Sequence, residues 1–244
     1  MAVIAEKDLA GILLADVSLQ LIEPDLYTVL PEGEISNTFD DGARFYDLVI
    51  CNPIYNRLIW GYWISSFGTF TQKGLESSQE GLVLDVGCGS LAFNAKQYAH
   101  YSARPVVLLD QSLNLLRIAK QRICKINGRV PENMVFVQGD ALNLPFKPHV
   151  FQTIISLNLL HVLADAKKVL AGQQNVLADI GTISISTLIK NNRFADKYLE
   201  IMLDKISGVA PRTMAQLQAV FNELKMPVIS ELNGNMAFFR YGFK

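Results

Sequence analysis

The segment Leu84-Asp85-Val86-Gly87-Cys88-Gly89-Ser90 holds the residues with the clearest chemical use. It follows a short apolar run and opens a helix. Gly87 and Gly89 permit a sharp turn and a close backbone approach to a ligand. The next helix aims its N-terminal amides and positive dipole end at that ligand, which favours an anionic group. A tight turn with no ligand would use the same glycines, so other residues must decide. Asp110 ends the next apolar run. A carboxylate there can accept two hydrogen bonds from a diol such as that of ribose, or it can cap the helix that follows. Gly139-Asp140-Ala141 ends a third run, where Asp140 suits an exocyclic amine such as adenine's, or simply a turn. Ser156-Leu157-Asn158-Leu159-Leu160-His161 ends a fourth.

The elements that must position these residues read as an α/β fold. Strands are expected at Leu82–Val86, Val106–Leu109, Val135–Gln138, Thr153–Ser156 and Thr182–Ser186. Helices are expected at Leu91–Tyr101, Leu113–Ile126 and Ala166–Leu177, with Ser112 as a cap. Strands alternating with helices imply a parallel sheet. All four motifs then lie at carboxyl ends of parallel strands, where open α/β sheets bind ligands. At the C-terminus, Asn233-Gly234 between two apolar runs predicts an antiparallel hairpin. The expected architecture is a doubly wound, mostly parallel seven-stranded sheet ending in that hairpin. Residues 1–80 lack alternating patterns and are expected to form an N-terminal helical cap or lid before the sheet domain of residues 81–244. Its helices are expected at Lys7–Leu21, ended by Pro24, at Asp41–Ile50, and from Asn52-Pro53 onward. The last is expected to present Ile54, Tyr55, Leu58, Ile59, Tyr62 and Trp63 on one apolar face.

LDVGCGS, VVLLDQS, FVQGDALNLPF and TIISLNLLHVLAD resemble, in order and spacing, the motifs of class I S-adenosylmethionine (SAM)-dependent methyltransferases. The nearest likeness is to small-molecule enzymes of the ubiquinone/menaquinone-biosynthesis type, over roughly residues 40–190. The resemblance implies that Asp85, Gly87 and Gly89 line the methionine part of SAM. It implies that Asp110, with Gln111 beside it, binds the ribose hydroxyls, that Asp140 and the Ala141 amide bind adenine, and that Leu157 and Asn158 lie under the methionine and sulfonium. Tyr46, in Phe45-Tyr46-Asp47, would close over SAM. Two positions depart from the family: Leu91 stands where a third glycine is usual, and Asp179-Ile180-Gly181 replaces a Pro-Gly-Gly turn.

SAM carries its own activated leaving group, so the protein must align the acceptor and exclude water. A base is needed only for an acceptor that must lose a proton. His161 is the candidate base, expected to titrate near 6.5, or else a histidine that only packs. The aromatic-rich stretch from Phe39 to Phe70 would supply core or an apolar lid, the latter suited to a lipophilic or aromatic acceptor. Residues Asn191 to Val220 would add a second wall. Two readings compete. Gly87-x-Gly89-x-x-Ala92 with Asp110 fits a relaxed NAD fingerprint, but Asp85, the Gly139-Asp140-Ala141 triplet and the terminal hairpin suit NAD poorly. A SAM-binding protein that transfers no methyl group is the other.

Composition narrows the class further. The net charge is -1, with no long basic run, which makes nucleic acid a poor partner. Mean hydropathy is +0.22, which leaves apolar surface for an oily ligand or for a homo-oligomer. Cys51, Cys88 and Cys124 lie far apart, so no metal site or disulfide framework is expected. A cytoplasmic setting fits that usage. No run reaches the roughly 18 apolar residues of a membrane span.

Overall fold

A computed structural model describes residues 3–31, 52–78, 80–204 and 209–243. Among these residues nine strands form one sheet: β1 (Gln20–Glu23), β2 (Leu26–Thr28), β3 (Leu82–Val86), β4 (Val106–Asp110), β5 (Met134–Gln138), β6 (Phe151–Leu157), β7 (Leu177–Leu188), β8 (Val228–Asn233) and β9 (Met236–Tyr241). Their order is β1-β2-β5-β4-β3-β6-β7-β9-β8. The strands from β2 to β7 in that order pair in parallel, while β1 and the β8–β9 hairpin are antiparallel. The chain runs β3, β4, β5 toward one edge and then returns to place β6 on the other side of β3. That reversal opens a crevice at the carboxyl end of β3.

Helices cover both faces: α1 (Glu6–Ile12), α2 (Ser65–Leu75), α3 (Ala95–Ala99), α4 (Leu113–Asn127), α5 (Ala166–Val176), α6 (Arg193–Leu203) and α7 (Met214–Glu223). The apolar run of β4 is buried throughout because its side chains alternate between two cores. Val107 and Leu109 join α1, α5 and α7 on one face. Val106 and Leu108 join α3 and α4 on the other. A third cluster packs Trp60, Tyr62, Phe67 and Phe70 against Leu188, Leu199, Met236 and Phe238. None of the helices is long and apolar enough to cross a membrane, among the described residues.

The N-terminal segment corrects the sequence reading, and the sheet has nine strands rather than seven. The expected helix Lys7–Leu21 stops at Ile12, and the chain then enters the β1–β2 hairpin. Pro24 ends nothing helical. It is the first residue of the two-residue turn between Glu23 and Leu26, where its ring presets φ and Asp25 takes φ +64°. β2 then extends the parallel sheet, with Leu26 opposite Phe136. The helix expected at Asp41–Ile50 lies outside the described residues.

Asn52 caps as expected, accepting from the amides of Ile54 and Tyr55 at 3.0 Å. The chain then widens into a π-turn over Asn56–Trp60 and stops at Gly61, with φ +80°. Ordinary helical spacing therefore fails there. Trp60 and Tyr62 go inward, while Ile54, Leu58 and Trp63 face out. The terminal hairpin is present, but its turn residues are Gly234-Asn235 rather than Asn233-Gly234.

Leu26 is fully buried in β2, whereas Leu21 in β1 is 58% exposed. Leu26→Ala should cost about 2–5 kcal/mol, the usual range for a core leucine, and Leu21→Ala less than about 0.5 kcal/mol. Urea denaturation of both variants measures this. Equal small losses would show that residues 20–28 lie on the sheet's surface rather than within it.

Candidate functional site

The motif residues meet at the carboxyl ends of β3, β4, β5 and β6. The loop after β3 is anchored from β4: the Gly87 and Cys88 amides donate to the Leu109 carbonyl at 2.8 and 3.0 Å. Gly87 has φ +73°, and a Cβ there would meet the Leu159 side chain at 2.8 Å. The glycine loop and the loop after β6 thus touch. A Cβ at Gly89 would meet nothing within 4 Å, so its backbone borders open space.

Asp110 closes the arrangement. Its Oδ2 accepts from the Gly89 amide at 2.8 Å and its Oδ1 from the Ser112 amide at 2.9 Å. Capping of α4 falls to Ser112, whose Oγ accepts from Leu115 N at 3.2 Å. Asp110 is therefore no helix cap. Gln111 is exposed beside it, and its carbonyl accepts from Gln138 Nε2 at 3.1 Å.

Asp85 is 1% exposed at the end of β3. The Tyr98 hydroxyl donates to its Oδ2 at 2.6 Å, and Oδ1 has no hydrogen-bond partner among the described residues. Burial pushes its pKa up, opposed by the Tyr98 hydrogen bond and aided by the charge of Asp110, to about 7. An unsatisfied buried acceptor is costly and points to a missing donor. Asn158, just past β6, shows the same signature. Its Oδ1 is buried without a partner among the described residues, and its backbone takes φ +57°. Its amide donates to the Ser186 carbonyl at 2.8 Å. Asparagine enters left-handed backbone more readily than other non-glycine residues, so the buried Oδ1 is the stronger sign here.

Leu91 resolves one departure from the family pattern. It adopts φ +54°, the conformation a glycine takes readily, and its side chain is 1% exposed in the core beside Val83 and Tyr98. The bulk points into the fold.

Asp140 performs the turn role: Oδ1 accepts from Leu142 N at 2.8 Å and Oδ2 from Asn143 Nδ2 at 2.6 Å. It is half-buried, as are Ala141 and Leu157. Tyr46 lies outside the described residues.

His161 is 4% exposed, with Nδ1 3.4 Å from Thr187 Oγ1. Burial, and then the nearby Arg212, lowers its pKa to about 4. The expected titration near 6.5 is therefore corrected. Sequence reading missed Arg212, which donates to the carbonyls of Leu160 at 2.7 Å and Leu163 at 2.8 Å and so holds the His161 turn. It stands some fifty residues downstream, and no local pattern links the two. Tyr98 carried a faint signal, since a buried tyrosine hydroxyl needs a partner. An open cleft of about 330 Å³ lies elsewhere, between α2 and the terminal hairpin, and touches none of the motif residues.

The sequence matches the methyltransferase-domain family over residues 77–224. It is 24% identical over 160 residues to a malonyl-[acyl-carrier protein] O-methyltransferase of Geobacter sulfurreducens, covering 65% of this chain and 54% of that protein. It is 28% identical over 155 residues to a ubiquinone/menaquinone biosynthesis C-methyltransferase of Francisella tularensis subsp. novicida, covering 63% and 59%. The chain thus spans a little over half the length of these relatives. Its fold superposes on a SAM-dependent methyltransferase from Aquifex aeolicus with TM-score 0.55 at 14% identity, covering 81% and 96%. The chain belongs to the class I SAM-dependent methyltransferases.

The two perturbed groups oppose each other in stability. Between pH 3.8 and about 7, folded Asp85 keeps a proton that the unfolded chain has lost, so its contribution falls as pH rises. Between about 4 and 6.5, unfolded His161 binds a proton that the folded chain excludes, so its contribution rises with pH. Urea midpoints should therefore climb from pH 4 to 6.5 in Asp85→Asn and decline over that range in His161→Gln. Parallel pH profiles for the two variants would disprove the assignment.

Proposed function

We propose that this chain transfers the SAM methyl group to a small lipophilic or aromatic acceptor. The observation that carries the reading is the pair of buried acceptors, Asp85 Oδ1 and Asn158 Oδ1, which have no partner among the described residues and stand at the ends of the adjacent strands β3 and β6. An amide oxygen and a carboxyl group that titrates at about 7 suit a ligand that brings a cationic amine. Bound SAM supplies an activated sulfonium methyl and needs no protein nucleophile.

In this reading Asp85, Gly87 and Gly89 surround the methionine moiety. Asp110 and Gln111 take the ribose hydroxyls, Asp140 and the Ala141 amide take adenine, and Leu157 and Asn158 lie beneath the sulfonium, with Tyr46 as a further contact. Residues 1–80 serve as the acceptor-side cap while lending Gln20–Thr28 to the sheet. The lipophilic acceptor is favoured by the third cluster, in which half-buried Leu157, Phe93 and Val162 rim a core of Trp60, Tyr62, Phe67 and Phe238. His161 acts uncharged, as a weak base for an acceptor already acidic, with burial and then Arg212 keeping it neutral.

Asp85 should couple binding to pH. A cationic amine pairs with the ionised carboxylate, so SAM affinity measured by calorimetry should rise with pH up to about 7 and then level off. Asp85→Asn should bind weakly at every pH. Asp110→Ala should lose at least about a hundredfold in affinity, since charged hydrogen bonds contribute about 1.5–3 kcal/mol each. Binding of NADH but not SAM would refute the reading.

His161→Ala should slow single-turnover methyl transfer by about 10²-fold, the lower end of a general-base contribution. SAM affinity should hold. The wild-type rate should stay flat through neutrality and drop only as pH approaches about 4. A variant with wild-type rate would make His161 a packing residue.

A further inference from the structure

We propose that an apolar patch on α6 and the 52–60 turn docks on an anionic lipid surface, from which the acceptor enters. The second half rests on the lipophilic-acceptor reading above; the docking itself does not.

Four large apolar side chains stand out in solvent: Ile54 at 66%, Leu58 at 75%, Phe194 at 68% and Ile201 at 59% exposed. Singly these would be ordinary, but a contiguous set is not. Phe194, Tyr198 and Ile201 fall at i, i+4 and i+7 on one face of α6, while Ala195, Leu199 and Leu203 are buried on the other. Tyr198 joins α6 to the turn. Its ring lies 6.3 Å from Tyr55 and 5.5 Å from Trp60, and the Tyr55 hydroxyl donates to the Tyr198 hydroxyl at 2.8 Å. Ile54 and Leu58 flank Tyr55 on that turn, so the two exposed sets form one patch.

The charges decide the occupant. Arg57, Arg193 and Lys197 are exposed on the same two elements, and none forms an ion pair among the described residues. Arg57 lies 5.6 Å over the ring of Trp63, itself half exposed. Of the neighbouring acids, Glu200 pairs with Lys190 at 2.6 Å, and Asp196 keeps its charge but turns it toward the Asn191 and Asn192 amides and Asn235 Nδ2. Asp204, at the far end of α6, remains an exposed acid. Aromatic and aliphatic side chains bordered by cations are the composition of a surface that lies in a lipid headgroup region. A second copy would bring like charges together across the contact. Inward, the patch leads toward the site, because Trp60, Leu199 and Leu203 share a cluster with Leu157.

The test is flotation of the whole chain with phosphatidylcholine vesicles, with and without phosphatidylglycerol. The wild type should float with the anionic vesicles, less with the neutral ones, and less at high salt. Trp63 emission should shift to the blue on binding, and Trp63→Phe should abolish the shift, since Trp60 is already buried. Leu58→Ser/Phe194→Ser/Ile201→Ser should lose vesicle binding at least about tenfold on both vesicle types. Arg193→Gln/Lys197→Gln should lose about fivefold per charge on anionic vesicles only. These side chains are exposed, so thermal melts should remain near wild type. SAM calorimetry on every variant gives a separate readout. Absent or unaltered vesicle binding with SAM binding intact would overturn the docking. So would a concentration-dependent dimer that the triple variant abolishes. Vesicle binding without SAM binding would support the docking while defeating the proposed function.

Discussion

The carboxylate of Asp110 ties three stretches of backbone into one unit. It lies at the end of β4, holds the Gly89 amide of the loop after β3, and holds the Ser112 amide that begins α4. Two further amides of the glycine loop reach back to the Leu109 carbonyl. The loop is therefore shaped by its neighbouring strand as well as by its own glycines. Without Asp110 the Gly89 and Ser112 amides would lose charge-assisted bonds together, and the floor of the site would lose its outline.

Around that clamp the fold tolerates local cost. Asp85 and Asn158 each bury an acceptor without a partner among the described residues, and Asn158 also holds left-handed backbone. A structure selected for stability alone would remove such features, whereas a binding site can keep them. Leu91 belongs to a different case. Its left-handed backbone is offset by a fully buried side chain, so the turn survives without a glycine.

The 52–63 segment depends on the terminal hairpin. Asn235 sits in its turn, donates through its amide to the Trp60 carbonyl at 2.8 Å, and donates through Nδ2 to Ile189 and Asp196. Gly234 makes that contact feasible, since a Cβ there would lie 2.0 Å from the Trp60 carbonyl oxygen. The hairpin thus locks the 52–63 segment onto the sheet. Phe238 continues the contact by packing its ring 5.9 Å from Phe67 and 4.9 Å from Phe70.

The sequence by itself determined the parallel core, because a strand buried on both faces must be apolar along its whole length. β3 falls on the run Leu82–Val86, and β4 ends on Asp110, one residue past its expected bound. It also determined which motif residues converge, because the alternation of strand and helix sends every strand's carboxyl end to the same edge. What it left open needed partners distant in sequence. Pro24 followed by Asp25 reads equally as a helix stop and as a hairpin turn until β5 offers an edge for β2. The apolar spacing after Asn52 misleads because the π-turn breaks the helical period. Only the tertiary structure decided the proton affinities. Asp85 and His161 shift in opposite directions from one cause, burial, which disfavours charge on either kind of group.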